Sequence, residues 1–214
     1  MEPSRAAQAL AEASSSLVRP VDAAGSLTSL LASCRRGLEI DAGGILVESR
    51  GGLELLASTS HAATELEMHQ LHLNEGPCFE AHRDGASLQL HSPRALLERW
   101  PEFGRKMLDA GFHSVHATPL VWQGDVFGAM GLFRHADDAF SDSEDTVAHA
   151  FADIGTALLA HTRQLDPAEL KTQLAEALQS RVVVEQAKGV LSDQHSLSMA
   201  EAYELLVQSA LDRH

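Results

Sequence analysis

The sequence predicts an α+β fold, with one antiparallel sheet covered by helices and followed by an all-helical tail. Two pairs of short apolar segments are each joined across a glycine-containing turn, which is typical of β-hairpins. Apolar residues recur at helical spacing before, between and after these pairs, and only helical patterns follow the second pair. Because hairpin strands pair antiparallel and amphipathic helices must cover an apolar surface, one helix-covered sheet satisfies both patterns.

The first hairpin lies between two predicted helices. Apolar residues at helical steps predict a helix over residues 25–38. Residues 44–48 and 53–57 are predicted strands, and the glycine pair between them suits the positive φ of a tight turn. Helical spacing resumes over residues 62–73. These elements account for one half of the expected sheet.

The second hairpin completes the expected sheet. A short strand is predicted at residues 88–91, and one or two helices around Pro101 are predicted at residues 94–110. Residues 115–120 and 126–133 are the strands of the second hairpin, with a turn centred on Gln-Gly-Asp. This turn is the clearest β signal in the chain.

Polar patterns mark where the later helices begin. Ser141 and Glu144 have the spacing of a capping box, in which the two side chains bond free amides at a helix start. The helix that follows is predicted to run to about residue 164. The same spacing recurs at Ser198 and Glu201 and predicts a last amphipathic helix.

A further helix is predicted between these two. Asp166 followed by proline is typical of a helix start. Apolar residues then recur every four positions, at Leu170, Leu174, Leu178 and Val182. In the helix before it, Val147, Phe151, Ile154 and Leu158 form an apolar seam long enough to pack against a sheet or against a second copy of the chain.

Charge and cysteine content narrow the function classes. The chain has 30 Asp and Glu against 16 Lys and Arg, a formal net charge of -14, which excludes a general electrostatic attraction to nucleic acid or anionic membrane. The two cysteines, Cys34 and Cys78, are too few for a disulfide scaffold and suit a reducing compartment. No apolar run reaches the roughly 18 residues of a spanning helix. We therefore expect a cytoplasmic protein without a membrane partner.

Part of the chain resembles a known family of sensor domains. Residues 111–120, 126–133 and 140–144 resemble the closing half of a GAF domain, in which a strand ending in Pro-Leu pairs with a glycine-rich strand. Residues 74–81, Asn-Glu-Gly-Pro-Cys-Phe-Glu-Ala, resemble the segment that GAF domains of actinobacterial regulators carry at this point. The resemblance spans roughly residues 25–165 and implies a sensor that binds a small-molecule ligand, whose identity it leaves open.

The tail resembles a second family. Residues 181–191, with a Glu-Gln-Ala-Lys-Gly core, and residues 200–206 resemble the ANTAR module, an RNA-binding helical domain of transcription antiterminators. The resemblance implies a signal-responsive homodimer that binds paired hairpins in nascent RNA and prevents termination. We divide the chain into an N-terminal extension (1–24), a GAF-like sensor domain (25–165) and an ANTAR-like module (166–214).

The tail departs from the ANTAR pattern in two respects. The family's module has three helices, whereas this sequence reaches residues 211–214 where the third would begin, so we expect a module without its third helix. From residue 167 onward seven carboxylates accompany only four cations, Lys171, Arg181, Lys188 and Arg213. Because each phosphate contact needs a cation, we expect weak RNA binding unless a second subunit completes the site. The alternative is an interaction protein that has lost RNA binding.

Four tail residues are candidate RNA contacts: Arg181, Gln186, Lys188 and Tyr203. Arg181 and Lys188 lie seven residues apart, hence on one helix face, and with Gln186 they suit a phosphate and a loop base. Tyr203 suits stacking on a base, with a core position as the alternative. A solvated helix face is the alternative for the others. Gly189 is interpreted as allowing close helix approach, because glycine inside a helix otherwise lowers stability.

Five residues are candidates for the lining of a ligand pocket in the sensor domain: Cys78, Trp100, Phe112, His116 and Phe127. Small-molecule sites are mainly apolar, which suits the aromatic members, and the alternative for each of them is an ordinary core position. Cys78 follows a proline at a predicted helix start, where the helix dipole lowers the pKa of a thiol and permits redox sensing. The alternative for Cys78 is a buried structural thiol.

Metal binding and catalysis have less support in the sequence. Four residues spaced for one helix face are the best metal candidates, His61, Glu65, His69 and His72, but no further ligand clearly completes the set. Some GAF-fold enzymes reduce a sulfoxide with paired cysteines, whereas Cys34 and Cys78 lie in distant segments. No nucleotide-binding or hydrolase motif is present. We expect no metal, no cofactor and no enzymatic activity.

Overall fold

The computed structural model describes residues 3–18, 23–49, 52–160 and 183–211. Several expectations lie outside these ranges: the end of a helix near residue 164, the helix start at Asp166, the apolar repeat from Leu170 to Val182, and the candidate RNA contact Arg181.

The sheet is the centre of the described fold. Its strands are β1 (Ala42–Ser49), β2 (Gly52–Ser58), β3 (Leu88–His91), β4 (Ser114–Trp122) and β5 (Asp125–Arg134). All neighbouring strands pair antiparallel, in the order β2-β1-β5-β4-β3. Gln123 and Gly124 connect β4 to β5 with φ of 54° and 94°, the two positive values that a type I′ turn requires. The predicted fold class and both hairpins are confirmed.

Helices cover both faces of the sheet and form the tail. They are α1 (Pro3–Ser15), α2 (Ala23–Leu38), α3 (His61–Leu73), α4 (Pro77–Asp84), α5 (Pro93–Arg99), α6 (Pro101–Asp109), α7 (Asp142–Ala160), α8 over 183–195 and α9 (Met199–Leu211). The break at Pro101 separates α5 from α6, because proline lacks the amide that would continue α5. The described tail is helical over 183–195 and 199–211, as expected, with a short turn between the two helices.

Both capping boxes are confirmed by their hydrogen bonds. The Ser141 amide donates to Glu144 Oε2 at 2.8 Å, and the Glu144 amide donates to Ser141 Oγ at 3.4 Å. At the start of α9 the Ser198 amide donates to Glu201 Oε2 at 2.7 Å, and the Glu201 amide donates back to Ser198 Oγ at 3.3 Å. Each pair satisfies two amides that a helix start leaves without partners.

The N-terminal extension contains a helix that the sequence patterns did not predict. Helix α1 packs along α2 and α7 and buries Ala6, Ala9 and Ala13. A Cβ on Gly37 of α2 would lie 2.8 Å from the Cβ of Ala9, so small residues on both helices allow the close packing. Alanine also occupies exposed positions of α1, so the spacing of alanines does not distinguish the buried side of the helix from the exposed side.

The two faces of the sheet carry separate cores. The face covered by α1, α2 and α7, here called the α2/α7 face, packs alkyl and aromatic side chains that include Leu30, Met130 and Phe151. The opposite face, covered by α3 to α6 and here called the α3/α4 face, includes Leu66 and Phe103. Helices on both sides exclude water from the central strands, and this dryness governs the polar groups described below.

Candidate functional site

Three buried polar side chains meet on the α3/α4 face: Glu67 and Gln70 from α3, and Cys78 from α4. Gln70 Nε2 donates to Glu67 Oε2, and the Cys78 amide donates to Gln70 Oε1 at 3.1 Å. The Cys78 thiol lies 3.9 Å from Glu67 Oε1. Each of the three residues is 0% exposed, so they satisfy one another in place of water. We call this group the Glu67 cluster.

A pair of glycines makes room for the Glu67 cluster. Gly44 of β1 and Gly131 of β5 are direct partners across the two strands. A Cβ on Gly44 would lie 2.7 Å from Glu67 Oε1, and a Cβ on Gly131 would lie 2.6 Å from Cys78 Sγ. Real Cβ atoms do not approach so closely, hence any larger residue at either position would displace the cluster.

Burial governs the protonation of the Glu67 cluster. It raises the pKa of Glu67 to about 8, against the opposing effect of the Gln70 hydrogen bond. Burial, followed by the nearby Glu67 carboxyl, also raises the pKa of the Cys78 thiol well above its ordinary value. The expectation of a lowered pKa at Cys78 is therefore wrong, because desolvation at this helix start outweighs the helix dipole. The cluster is neutral at pH 7, and Cys78 is a buried thiol.

The segment that resembles actinobacterial GAF domains, residues 74–81, is a joint between helices. Asn74 adopts a left-handed conformation with φ of 50° and ends α3. Glu75 Oε1 accepts from the Phe103 amide at 3.0 Å and so caps the start of α6. Glu80 Oε1 accepts from Trp100 Nε1 at 2.8 Å. The segment fixes α3, α4 and α6 relative to one another around the Glu67 cluster.

The structure divides the five candidate pocket residues between the two faces. Cys78, Trp100 and Phe112 are buried on the α3/α4 face, where Trp100 contacts Phe103 edge to face and Phe112 stacks on His135. His116 and Phe127 are buried on the α2/α7 face. The sheet therefore separates these two residues from the other three. Strand alternation places His116 on its face, whereas Phe127 lies where the pairing of β4 with β5 shifts register, between Gly128 and Val126.

Two buried polar links join the sheet to the first turn of α7. His116 Nε2 lies 2.7 Å from Asp145 Oδ1, and burial lowers the pKa of His116 although this carboxylate opposes the change. Arg134 donates to Glu144 Oε1 at 2.6 Å and to the Leu38 carbonyl at 2.7 Å. Burial opposes ionisation of Glu144, but hydrogen bonds from Ser141 and Arg134 outweigh it and lower its pKa. The capping box of Ser141 and Glu144 was the sequence signal for this junction, but the second partner of Glu144, Arg134, was not predicted.

In the tail, the structure brings Lys188 and Tyr203 together. Lys188 is only 1% exposed; its Nζ donates to Glu185 Oε1 and Oε2 at 3.1 and 2.9 Å and lies 5.4 Å from the centre of the Tyr203 ring. Tyr203 is half-buried, and its hydroxyl donates to the Ser58 carbonyl of β2 at 2.5 Å. Gln186 is exposed. A solvated position for Lys188 is therefore excluded.

The interpretation of Gly189 as a point of close helix approach is wrong for the described chain. Gly189 is exposed, and a Cβ built on it would meet no atom of the described chain within 4 Å. The local rule that a helical glycine marks close packing fails here because the neighbouring helix α9 packs on the Lys188 side of α8.

On the His-rich face of α3, Glu65 lies close to one histidine and one lysine. His61 Nε2 lies 3.6 Å from Glu65 Oε1, and Lys106 Nζ lies 3.9 Å from Glu65 Oε2. In the part of the chain that the structure describes, no three His, Cys, Asp or Glu side chains stand where they could hold a metal ion. Among the same residues no helix is long and apolar enough to cross a membrane.

The two cysteines lie on opposite sides of the sheet. Cys34 belongs to the core of the α2/α7 face, whereas Cys78 belongs to that of the α3/α4 face. Both are buried thiols, and burial raises the pKa of each. A disulfide needs Cα atoms within about 7 Å, so strands that separate the two residues rule out a paired-cysteine reaction in this conformation.

Comparisons with known proteins agree with this geometry. Residues 22–160 match the family model of the GAF domain, and residues 172–214 match that of the ANTAR domain. Because the first match covers more than half of the chain, the protein belongs to the GAF domain family, with an ANTAR domain behind the sensor. No curated protein matches the sequence.

Solved structures share the fold. The GAF domain of a phosphoenolpyruvate-protein phosphotransferase from Coxiella burnetii is 17% identical with a TM-score of 0.60, covering 77% of this chain and 98% of its own. The corresponding domain from Acinetobacter is 13% identical with a TM-score of 0.59, covering 78% and 98%. A GAF domain/HD domain protein from Geobacter sulfurreducens is 18% identical with a TM-score of 0.54, covering 69% and 99%. At these identities the likeness establishes the fold alone.

Proposed function

We propose that this GAF–ANTAR protein is a signal-responsive transcription antitermination regulator that acts as a homodimer in the cytoplasm. The sensor domain receives the signal, and the tail binds paired hairpins in nascent RNA. The observation that carries the proposal is the ANTAR match over residues 172–214 directly behind the GAF match over residues 22–160. The burial of both cysteine thiols supports a regulatory role over a catalytic one.

We assign the signal to the α3/α4 face. Cys78, Trp100 and Phe112 share that face with the Glu67 cluster, whose buried hydrogen-bonding groups suit recognition of a small polar molecule. His116 lies on the other side of the sheet, where its bond to Asp145 supports a role in holding α7. Phe127 has a packing role on that same side.

We assign RNA contact to α8 and α9. Gln186 is exposed and available to a base, and Lys188 lies beside Tyr203. A phosphate contact by Lys188 requires a rearrangement of the residues around it, because its side chain is buried. Arg181 would supply a second cation, and its place on the same face follows from its spacing.

The test is RNA binding by the purified 214-residue protein. A gel shift on a dual-hairpin transcript leader across a salt series should show affinity that falls as salt rises. Lys188→Ala should lower that affinity and reduce the slope of log K against log salt by about 1, because one phosphate contact is lost. Lys106→Ala is the matched control, since Lys106 pairs with a glutamate in the sensor just as Lys188 pairs with one in the tail. Light scattering should show a dimer.

The second candidate function is an interaction protein whose tail no longer binds RNA. The burial of Lys188 and the excess of carboxylates in the tail favour it. This alternative predicts a stable dimer with no affinity for the hairpin leader at any salt concentration. A monomer without RNA affinity would contradict both candidates.

A further inference from the structure

The tail contacts the sensor domain through Tyr203, which also lies beside Lys188, and both residues are candidate RNA contacts. Tyr203 reaches the end of β2 with its hydroxyl and lies beside Lys188 with its ring. We propose that this contact is autoinhibitory: docking of α9 on the corner formed by β2 and α3 keeps Lys188 and Tyr203 out of reach of RNA until α9 is released. The inference rests on the proposed RNA-binding function and adds its regulation.

Docking occupies the groups that RNA would need. A phosphate contact requires an ammonium group that can replace condensed counterions, but Lys188 Nζ is buried and already bonded to both carboxylate oxygens of Glu185. Stacking requires an open ring face and freedom to meet a base, whereas the Tyr203 hydroxyl is held at the Ser58 carbonyl. Both groups become available together if α9 moves, because one side chain contacts the other.

The anchor of α9 on the sensor is the backbone carbonyl of Ser58. Strand β2 lies at the edge of the sheet, and Ser58 is its last residue. Edge strands present carbonyls that no neighbouring strand covers, and the Tyr203 hydroxyl occupies one of them. Ser58 Oγ is also within 2.7 Å of Thr64 Oγ1, which fixes the anchor to α3.

Helix α3 connects this anchor to the interior of the sensor. It packs against α9, and it carries Glu67 and Gln70 of the buried polar cluster. A molecule that binds at the cluster, or a change in its hydrogen bonds, would act on the same helix that holds Thr64 and Ser58 in place. Helix α9 has two arrangements, docked and released. The Glu67 cluster and the Ser58 anchor both affect the equilibrium between them, because α3 connects the two places.

The Tyr203 hydrogen bond and the packing of α9 against α3 are among the contacts that hold the docked form. A ligand that prefers the released form shifts the equilibrium by the ratio of its affinities for the two forms. The apparent RNA affinity is the intrinsic affinity multiplied by the fraction of molecules in the released form. While that fraction is small, a given fold-increase in the equilibrium constant for release raises the apparent affinity by the same factor.

The experiment uses the full chain and two readouts. Acylation of lysines by an N-hydroxysuccinimide ester, followed by peptide mass spectrometry, compares Lys188 with Lys106, whose side chain is 41% exposed. RNA affinity for the dual-hairpin leader is measured in parallel. Tyr203→Phe removes the hydroxyl and keeps the ring, and Ser209→Ala on the exposed part of α9 is the matched control. Ala202→Gln, which enlarges a fully buried residue of α9, is a second way to release the helix.

Autoinhibition predicts that Lys188 is acylated far more slowly than Lys106 in the unmodified protein, and faster in Tyr203→Phe and Ala202→Gln. The RNA affinity of Tyr203→Phe should rise about 2- to 12-fold, the range that loss of one net hydrogen bond produces. Ser209→Ala should change neither readout.

Two results would overturn autoinhibition while leaving RNA binding intact. One is a Lys188 as reactive as Lys106 in the unmodified protein, and the other is a faster Lys188 in both variants with unchanged RNA affinity. Protection of Lys188 together with no RNA binding by any of the proteins would overturn the proposed function, and the inhibition with it. The labelling readout separates that failure from the other two because it does not depend on RNA.

Discussion

The two faces of the sheet are packed with different chemistry. The α2/α7 face buries alkyl and aromatic side chains, and its polar groups Arg134 and His116 meet carboxylates at the start of α7. The α3/α4 face instead places a carboxyl group, an amide and a thiol in the middle of its core. The first face is built for stability, whereas the second holds groups whose hydrogen bonds a proton or a ligand can change.

This difference between the faces matters because α9 of the tail packs against α3, which covers the α3/α4 face. Helix α3 contributes to the Glu67 cluster and also contacts α9, while α7 is held to the sheet by the Arg134–Glu144 ion pair and the His116–Asp145 hydrogen bond. Substitutions on the α2/α7 face should therefore act on folding stability. Substitutions on the α3/α4 face should also change how the protein responds to pH.

The largest expected effect is on the apolar side. Phe151→Ala removes a fully buried ring of α7 and should lower the free energy of unfolding by about 3–5 kcal/mol. Phe79→Ala is the matched control, because Phe79 lies on α4 and is only half-buried. Urea denaturation of both variants measures the difference. Equal losses would contradict the view that complete burial of the Phe151 ring against the α2/α7 face stabilises the fold.

The next effect tests the polar side. The folded protein keeps the Glu67 proton up to about pH 8, whereas the unfolded chain releases it near the ordinary pKa of 4.5. Between these values the folded state binds more protons, so this residue makes stability fall as pH rises, by about 1.4 kcal/mol per pH unit. Glu67→Gln should remove this contribution and raise stability most at the alkaline end.

Urea denaturation across this pH range measures the prediction for Glu67. Glu98→Gln is the control, since Glu98 is an exposed carboxylate of α5 paired with Arg94. The free energy of unfolding is plotted against pH for Glu67→Gln and for the unmodified protein. If the two plots are parallel over the whole range, the Glu67 carboxyl is not held protonated in the folded state.

Crowding at the glycine pair should have a smaller effect. Gly131→Ala places a Cβ 2.6 Å from Cys78 Sγ and 2.9 Å from Glu67 Oε1, and should lower the free energy of unfolding by about 1–3 kcal/mol. Gly43→Ala is the counterpart toward the α2/α7 face, where the nearest atom would be 3.1 Å away and the loss should be less. Thermal unfolding compares the two variants.

Adding Cys78→Ala to Gly131→Ala should recover part of the loss, because it removes the sulfur that the new methyl group meets. Strictly additive losses in the double variant would mean that the glycine pair does not shape the Glu67 cluster.

The smallest effect lies outside both faces. Gly189→Ala should stabilise α8 by about 0.5–1 kcal/mol, because alanine restricts the unfolded chain and the site has room for a Cβ. Circular dichroism during thermal unfolding detects the change. A loss of stability would indicate that α8 packs closely at this position in solution, as in a dimer.

Local patterns predicted most elements of the fold but few of its buried polar contacts. The Gln-Gly turn and the two capping boxes depend on neighbouring residues, so their signals are complete within a few positions. The Glu67 cluster joins two helices and two strands that are distant in sequence, and a glutamate in a helix is ordinarily exposed. Helix α1 was missed because its alanines fall on buried and exposed sides alike.

The sequence by itself determined the succession of strands and helices, the order of the sensor and the tail, and the families that both resemble, because periodicity, caps and turns are local properties. The tertiary structure decided which candidate residues share a face, that the pKa of Cys78 is raised, and that Lys188 is buried beside Tyr203. These outcomes depend on desolvation and on contacts between distant segments, which exist only once the helices close over the sheet.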